Sequence, residues 1–217
     1  MRNKLTGILL AAFFVFGLSG TGDAALLTFD DVVVGATSYA YDGDADGTND
    51  VIFSTTDPSG FNTGGPGPNM TYIDEPGIEG TSLLPTDLRV DFLNGAVNVM
   101  GFGFALNSST ETSTASFSLF DASDNLLASK TLLGLFTTTP SGLSSFPEGF
   151  LSLAFPNIAS YGLFNFDTQF GRYIIDNFQG TFGSTEDITP VPEPSTFLLL
   201  GGGLAGLAFY ARRRKKE

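Results

Sequence analysis

From Ala25 onward, hydrophobic and polar residues alternate in short runs broken by Gly, Asn, Asp, Ser and Pro. No long segment keeps a helical period, so the pattern predicts strands throughout. The clearest runs are 26–29, 51–54, 115–120, 126–132, 150–155, 161–166 and 173–178, with 32–34 and 38–41 adding extended chain. Residues 88–92 alternate and lead through Asn94 and Gly95, read as a hairpin turn, into 97–106. Residues 121–125 read as a second hairpin turn, and 57–76, rich in Gly, Pro and Asn, as a long surface loop. Eight or nine such strands predict an all-β chain folded as an antiparallel, jelly-roll-like β-sandwich.

The two ends follow other rules. At the start, Arg2 and Lys4 precede an apolar centre at 8–18, and Gly22, Asp23 and Ala24 place small residues around a cut. That is the pattern of a secretory signal peptide, a signal helix over 1–24 that leaves a mature chain beginning near Ala25. At the other end, Pro192 and Pro194 flank Glu193 and hold the chain extended, since neither ring has a backbone donor. An apolar run at 196–211 follows, closed by Arg212, Arg213, Arg214, Lys215 and Lys216. The cations are expected to stay in the cytoplasm, with the preceding chain outside. Sixteen residues make a helix of about 24 Å, short of the roughly 30 Å hydrocarbon core, which suits a temporary single transmembrane helix. The expected organisation is signal peptide 1–24, exported β-sandwich 25–187 and sorting segment 188–217.

The tail resembles the PEP-CTERM sorting signal of Gram-negative bacteria, with Pro192, Glu193 and Pro194 as its signature and residues 212–216 as its basic terminus. The resemblance implies an exosortase as partner and cleavage near the Pro-Glu-Pro. It implies a transient membrane anchor, then release to the cell surface or beyond, alongside the exopolysaccharide machinery. Residues 27–30, 101–106, 117–126 and 173–178 give a looser resemblance to extracellular jelly-roll modules, including carbohydrate-binding and galactose-binding-like ones.

Charge and composition narrow the chemistry. Residues 25–194 carry three cations, Arg89, Lys130 and Arg172, against 21 acids, a net charge of −18. Such a surface repels phosphate backbones, so nucleic acid is not an expected partner. The chain has no Cys and no His, which removes disulfides, thiol nucleophiles, Ser-His-Asp catalysis and ordinary zinc sites. It also lacks Trp, the best sugar-stacking side chain. Phe117, Phe120, Phe150, Phe155, Phe164, Phe166 and Phe178 fall within the strand-like runs and are expected to fill the space between sheets.

One internal stretch has ligand spacing. Asp42, Asp44 and Asp46 alternate ahead of Gly47, with Thr48 able to offer its carbonyl and Asp50 able to ligate directly or through water. Hard oxygen ligands in this number point to Ca²⁺ in a structural role. The spacing resembles Asp-x-Asp-x-Asp-Gly calcium loops, although Phe53 stands where an EF-hand has Glu. Both Asp and Gly also favour plain turns.

Three functions remain open. A non-catalytic surface or matrix protein, associated with exopolysaccharide, needs only what the chain displays. A carbohydrate-binding module needs an exposed Tyr or Phe platform with amides beside it. A secreted glycan-active enzyme needs two converging carboxylates in a cleft, and no spacing singles out such a pair.

Overall fold

The computed structural model describes residues 25–43, 46–65, 67–74, 76–81 and 88–183. Both expected terminal helices lie outside them, and among the described residues no helix is long and apolar enough to cross a membrane. Eleven strands follow in order: β1 (Ala25–Leu27), β2 (Ser38–Tyr41), β3 (Val51–Thr55), β4 (Ile78–Thr81), β5 (Leu88–Leu106), β6 (Thr114–Phe120), β7 (Leu126–Leu133), β8 (Thr138–Thr139), β9 (Gly142–Leu143), β10 (Glu148–Asp167) and β11 (Arg172–Phe182). Nine join in one antiparallel sheet, and β8 with β9 makes a separate ribbon. An antiparallel β-sandwich core is therefore present.

Two long strands fold this sheet on itself. The first part of β5 pairs with β3, Phe92 opposite Val51, and with the end of β10, Asp91 opposite Tyr161. The rest of β5 pairs with β11 and with the start of β10, Phe104 opposite Ile175 and Gly149. Layer A thus runs β2-β3-β5-β10-β6-β7, and layer B joins β11, β5 and β10, with β1 and β4 both along the outer side of β11. The bends are where the sequence permits them. Gly95 takes φ +88°, and β10 loses its regular register around Pro156, which has no donor for a ladder.

These bends correct the expected hairpin at Asn94 and Gly95. The chain does not reverse there, because Phe92 and Ala96 find partners on other strands and one strand continues into the second layer. The runs 150–155 and 161–166 likewise belong to the single strand β10. Residues 32–34 are not a strand but the junction of two turns, one closed by the Val32 amide donating to the Phe29 carbonyl at 3.2 Å and the next by the Ala36 amide donating to the Val33 carbonyl at 3.0 Å. The turn at 121–125 is as expected: Asp121 accepts from the Ser123 and Asn125 amides at 2.8 and 2.9 Å. Those bonds and the Asn125 side chain, which acts most strongly, hold its carboxyl below the ordinary carboxylate range.

Between the layers lies an aromatic core. Phe102 and Phe178 of layer B meet Phe53, Phe117 and Phe164 of layer A, with Phe102–Phe164 and Phe53–Phe178 ring centroids each 5.0 Å apart in edge-to-face geometry. Burying a side chain of this size contributes about 1.5–3 kcal/mol, and truncating one to Ala costs about 3–5 kcal/mol. Five of the seven strand phenylalanines expected in the core are buried; Phe120 and Phe150 are not. Both sit half-buried on outer faces. At the open side of the sandwich Lys130 points inward from edge strand β7, and its Nζ donates to the Ser152 carbonyl of β10 at 2.8 Å. An inward charge that caps a carbonyl of the facing layer discourages pairing with another chain.

Candidate functional site

The outer face of layer B is built on a row without side chains. Because successive residues of a strand face opposite ways, Phe102 and Phe104 enter the core while Gly101 and Gly103 face out. The chain between β3 and β4, here called the strap, crosses this row. At Gly103 a Cβ would collide with the Tyr72 carbonyl, so glycine is what lets the strap lie directly on the sheet. Met70 and Ile73 of the strap pack on Ala105 and Ile174, a small apolar cluster separate from the main core.

Carboxylates pin the strap to the strands. Glu148, 1% exposed, accepts from the backbone amides of Thr71 and Tyr72 at 2.9 Å and from the Thr137 hydroxyl. Asp176, also 1% exposed, accepts from the amides of Asp74 at 2.8 Å and Asn177 at 2.6 Å. Burial pushes its carboxyl up to about 6, and those two amides oppose the rise without cancelling it. Glu79 is tied to Arg172 by an ion pair and accepts from Asn62 Nδ2 at 2.6 Å. Burial raises its carboxyl too, with Arg172 pulling the other way. For Glu148 and Asp176 backbone amides thus do what a cation does for Glu79, because the domain has few cations to offer.

The strap leaves an accessible region on either side. On one side is a cleft of about 340 Å³, with Asn62, Glu79, Asn107 and Arg172 as polar walls, Phe146 as an aromatic wall and Ile174 on its floor. On the other is a shelf where the Phe150 ring lies over Gly101, with the Tyr72 ring 6.5 Å away and tilted by 40°. Register places Ser152 and exposed Gln179 opposite Gly101 on the two neighbouring strands. Asn177 Nδ2 donates to the Tyr72 carbonyl at 3.3 Å.

The outer face of layer A is different. There the Tyr161 ring is stacked on Phe120 at 5.0 Å and 9°, and Arg89 lies over the Tyr161 ring at 3.9 Å. Tyr161 donates to Asp124 at 2.9 Å, and Arg89 pairs with Asp91 at 2.5 Å. Ser116 meets Thr131 and Ser118 meets Ser129, both at 2.8 Å. The rings already cover one another, so this face offers no free aromatic surface between Phe120 and Arg89.

The expected calcium residues lie in the connection between β2 and β3, which pair as a hairpin with Tyr41 opposite Val51. Asp42 accepts from the amides of Asp46 at 3.2 Å and Gly47 at 2.8 Å, and Asp46 accepts from Thr48 at 2.7 Å. Asp50 is buried and accepts from Gly43 at 2.6 Å. The loop therefore curls around Asp42, and backbone amides offset part of the charge. Asp44 lies outside the described residues, and among those described no three acidic side chains gather in a metal-binding group. Asp42 is the side chain around which the loop closes. Pro192, Glu193, Pro194 and the cations 212–216 also lie outside the described residues.

The sequence reading missed Glu79, Glu148, Asp176, Arg172, Tyr72 and Gln179 as a group. Their approach depends on contacts up to 105 positions apart, such as Asn177 with Tyr72. A usable signal existed in Gly101 and Gly103, since glycine inside a strand marks close backbone approach.

Comparison with known proteins identifies the tail. Residues 190–215 match the PEP-CTERM protein-sorting motif. That motif takes the chain through the general secretory and exosortase route to the cell surface or extracellular space. No curated protein sequence matches the chain. In backbone shape the chain is similar to the K2 cleaved adhesin domain of Lys-gingipain, at 14% identity and a TM-score of 0.42, covering 75% of this chain and 100% of that one. The K3 adhesin domain of Lys-gingipain from Porphyromonas gingivalis w83 gives 15% identity and a TM-score of 0.38, over 73% and 98% of the two chains. A carbohydrate-binding module of Cellvibrio mixtus lichenase 5A, solved with cellotriose, gives 8% identity and a TM-score of 0.25, over 74% and 97%. These similarities concern the course of the backbone and assign no ligand.

Proposed function

We propose that the exported domain is a non-catalytic, jelly-roll-like cell-surface module that binds saccharide, such as the producer's own exopolysaccharide, on the outer face of layer B. The observation that carries this reading is the shelf: a half-buried Phe150 ring resting on Gly101, a Tyr72 ring beside it, and the amide of Gln179 on the neighbouring strand. A pyranose offers an apolar face to aromatic rings and hydroxyls to amides, which is the division of labour of most small-molecule sites. The adjoining cleft adds Asn62, Asn107 and the Arg172–Glu79 pair as further hydrogen-bonding groups. Exosortase acts earlier, on the tail, and the membrane is a partner only until that step. Calcium belongs to the same reading as a structural ion of the 42–50 loop, held by Asp42, Asp46, Asp50, Asp44 and the Thr48 carbonyl.

Co-sedimentation of the exported protein with that polysaccharide tests the reading. The wild type is expected to sediment, and Phe150→Ala to lose at least about tenfold in affinity, because stacking on one ring is worth about 1.5 kcal/mol. Sedimentation of wild type and Phe150→Ala to the same extent would refute it.

A further inference from the structure

Layer B meets a ligand with very little positive charge. Residues 25–194 carry three cations against 21 acids, and all three cations are engaged. Arg89 lies on layer A and pairs with Asp91, and Lys130 of β7 donates to the Ser152 carbonyl. Arg172, the cation of the cleft, is held in an ion pair by Glu79. Glu148 and Asp176 instead receive uncharged donors, backbone amides and the Thr137 hydroxyl among them, which leave their negative charge uncancelled. Asp74 adds an exposed acid on the strap. A sugar carboxylate brought to this face meets like charge, and it reaches Arg172 only by displacing Glu79.

We propose, building on the saccharide reading, that the glycan bound by layer B is uncharged and that Glu79 is the residue that excludes acidic sugars. By occupying Arg172, Glu79 turns the guanidinium best suited to a uronate into a neutral pair. The remaining recognition groups are rings and amides: Phe150, Tyr72 and Gln179 on the shelf, Asn62 and Asn107 in the cleft. An amide side chain donates and accepts alike, which matches a hydroxyl and gives an anion no advantage.

Two forms of the producer's exopolysaccharide isolate the charge: one with its carboxylates reduced to alcohols, the other with its primary hydroxyls oxidised to carboxylates. In co-sedimentation with the exported protein, the oxidised form is expected to bind at least about tenfold more weakly at about 10 mM salt. The gap is expected to close to within about threefold at about 1 M salt, where charges act over only about 3 Å. Glu79→Gln keeps the side-chain shape and frees Arg172, and is expected to narrow the low-salt gap by at least about threefold. Equal or tighter binding of the oxidised form by the wild type would overturn the proposal and assign Arg172 to a uronate carboxylate. So would a gap that persists undiminished in Glu79→Gln or at high salt. Binding of neither form would refute the saccharide reading itself.

Discussion

The two outer faces of the sandwich solve the same problem in opposite ways. Layer A meets water with polar and aromatic groups that satisfy one another across neighbouring strands: Ser116 with Thr131, Ser118 with Ser129, and Tyr161 between Phe120 and Arg89. Layer B carries glycines and buried acids that make no sense until a distant segment arrives to cover them. Glu148 reaches Thr71 across 77 positions, and Asp176 reaches Asp74 across 102. A face that completes itself needs no partner. A face assembled from a strap and a sheet leaves edges, and the shelf and the cleft are those edges.

If that contrast is right, the two faces respond unequally to truncation. Glu148→Ala strands two backbone amides and a hydroxyl under the strap, and is expected to destabilise the domain by about 3 kcal/mol in urea unfolding. A loss below about 1 kcal/mol would mean that the strap does not depend on its carboxylate. On layer A, Arg89→Ala removes an exposed ion pair and a ring contact, worth together about 1 kcal/mol, with aqueous screening keeping the total low. A larger loss from Arg89→Ala than from Glu148→Ala would invert the comparison. The smallest expected effect is that of calcium, which touches neither face. Calcium at a concentration near its Kd is expected to stabilise the wild type by about 0.4 kcal/mol and Asp42→Ala not at all, read from thermal melting with and without chelator. A melting temperature indifferent to calcium would assign the 42–50 loop to its own backbone amides.

How far the sequence discloses each face follows from the same difference. Alternation in 114–120 places inward and outward residues correctly, because strand geometry is local and the core enforces it. The turn at 121–125 is legible for the same reason. In 173–178 a bulge at Asn177, with φ +51°, shifts the alternation, so that Phe178 joins Tyr173 and Ile175 in the core. Asn94 and Gly95 mislead because one dipeptide serves a reversal or a bend, and only the partners of Phe92 and Ala96 decide between them. Phe120 and Phe150 mislead in the other direction. A phenylalanine in a strand is expected inside, and the sequence does not show that Tyr161 or a glycine row will receive it on the outer surface. Glu148 and Asp176 are legible only as charge, since their strap partners are backbone amides, which every residue but proline possesses.

An amide-resolved NMR titration of the exported protein with oligosaccharides from the producer's exopolysaccharide addresses the central claim most directly. Saturable shifts are expected at Tyr72, Phe150 and Gln179, extending to Asn62 and Asn107, while Ser118, Phe120 and Tyr161 stay unmoved. Shifts centred on Tyr161 and Phe120, or none on either face at millimolar saccharide, would contradict it.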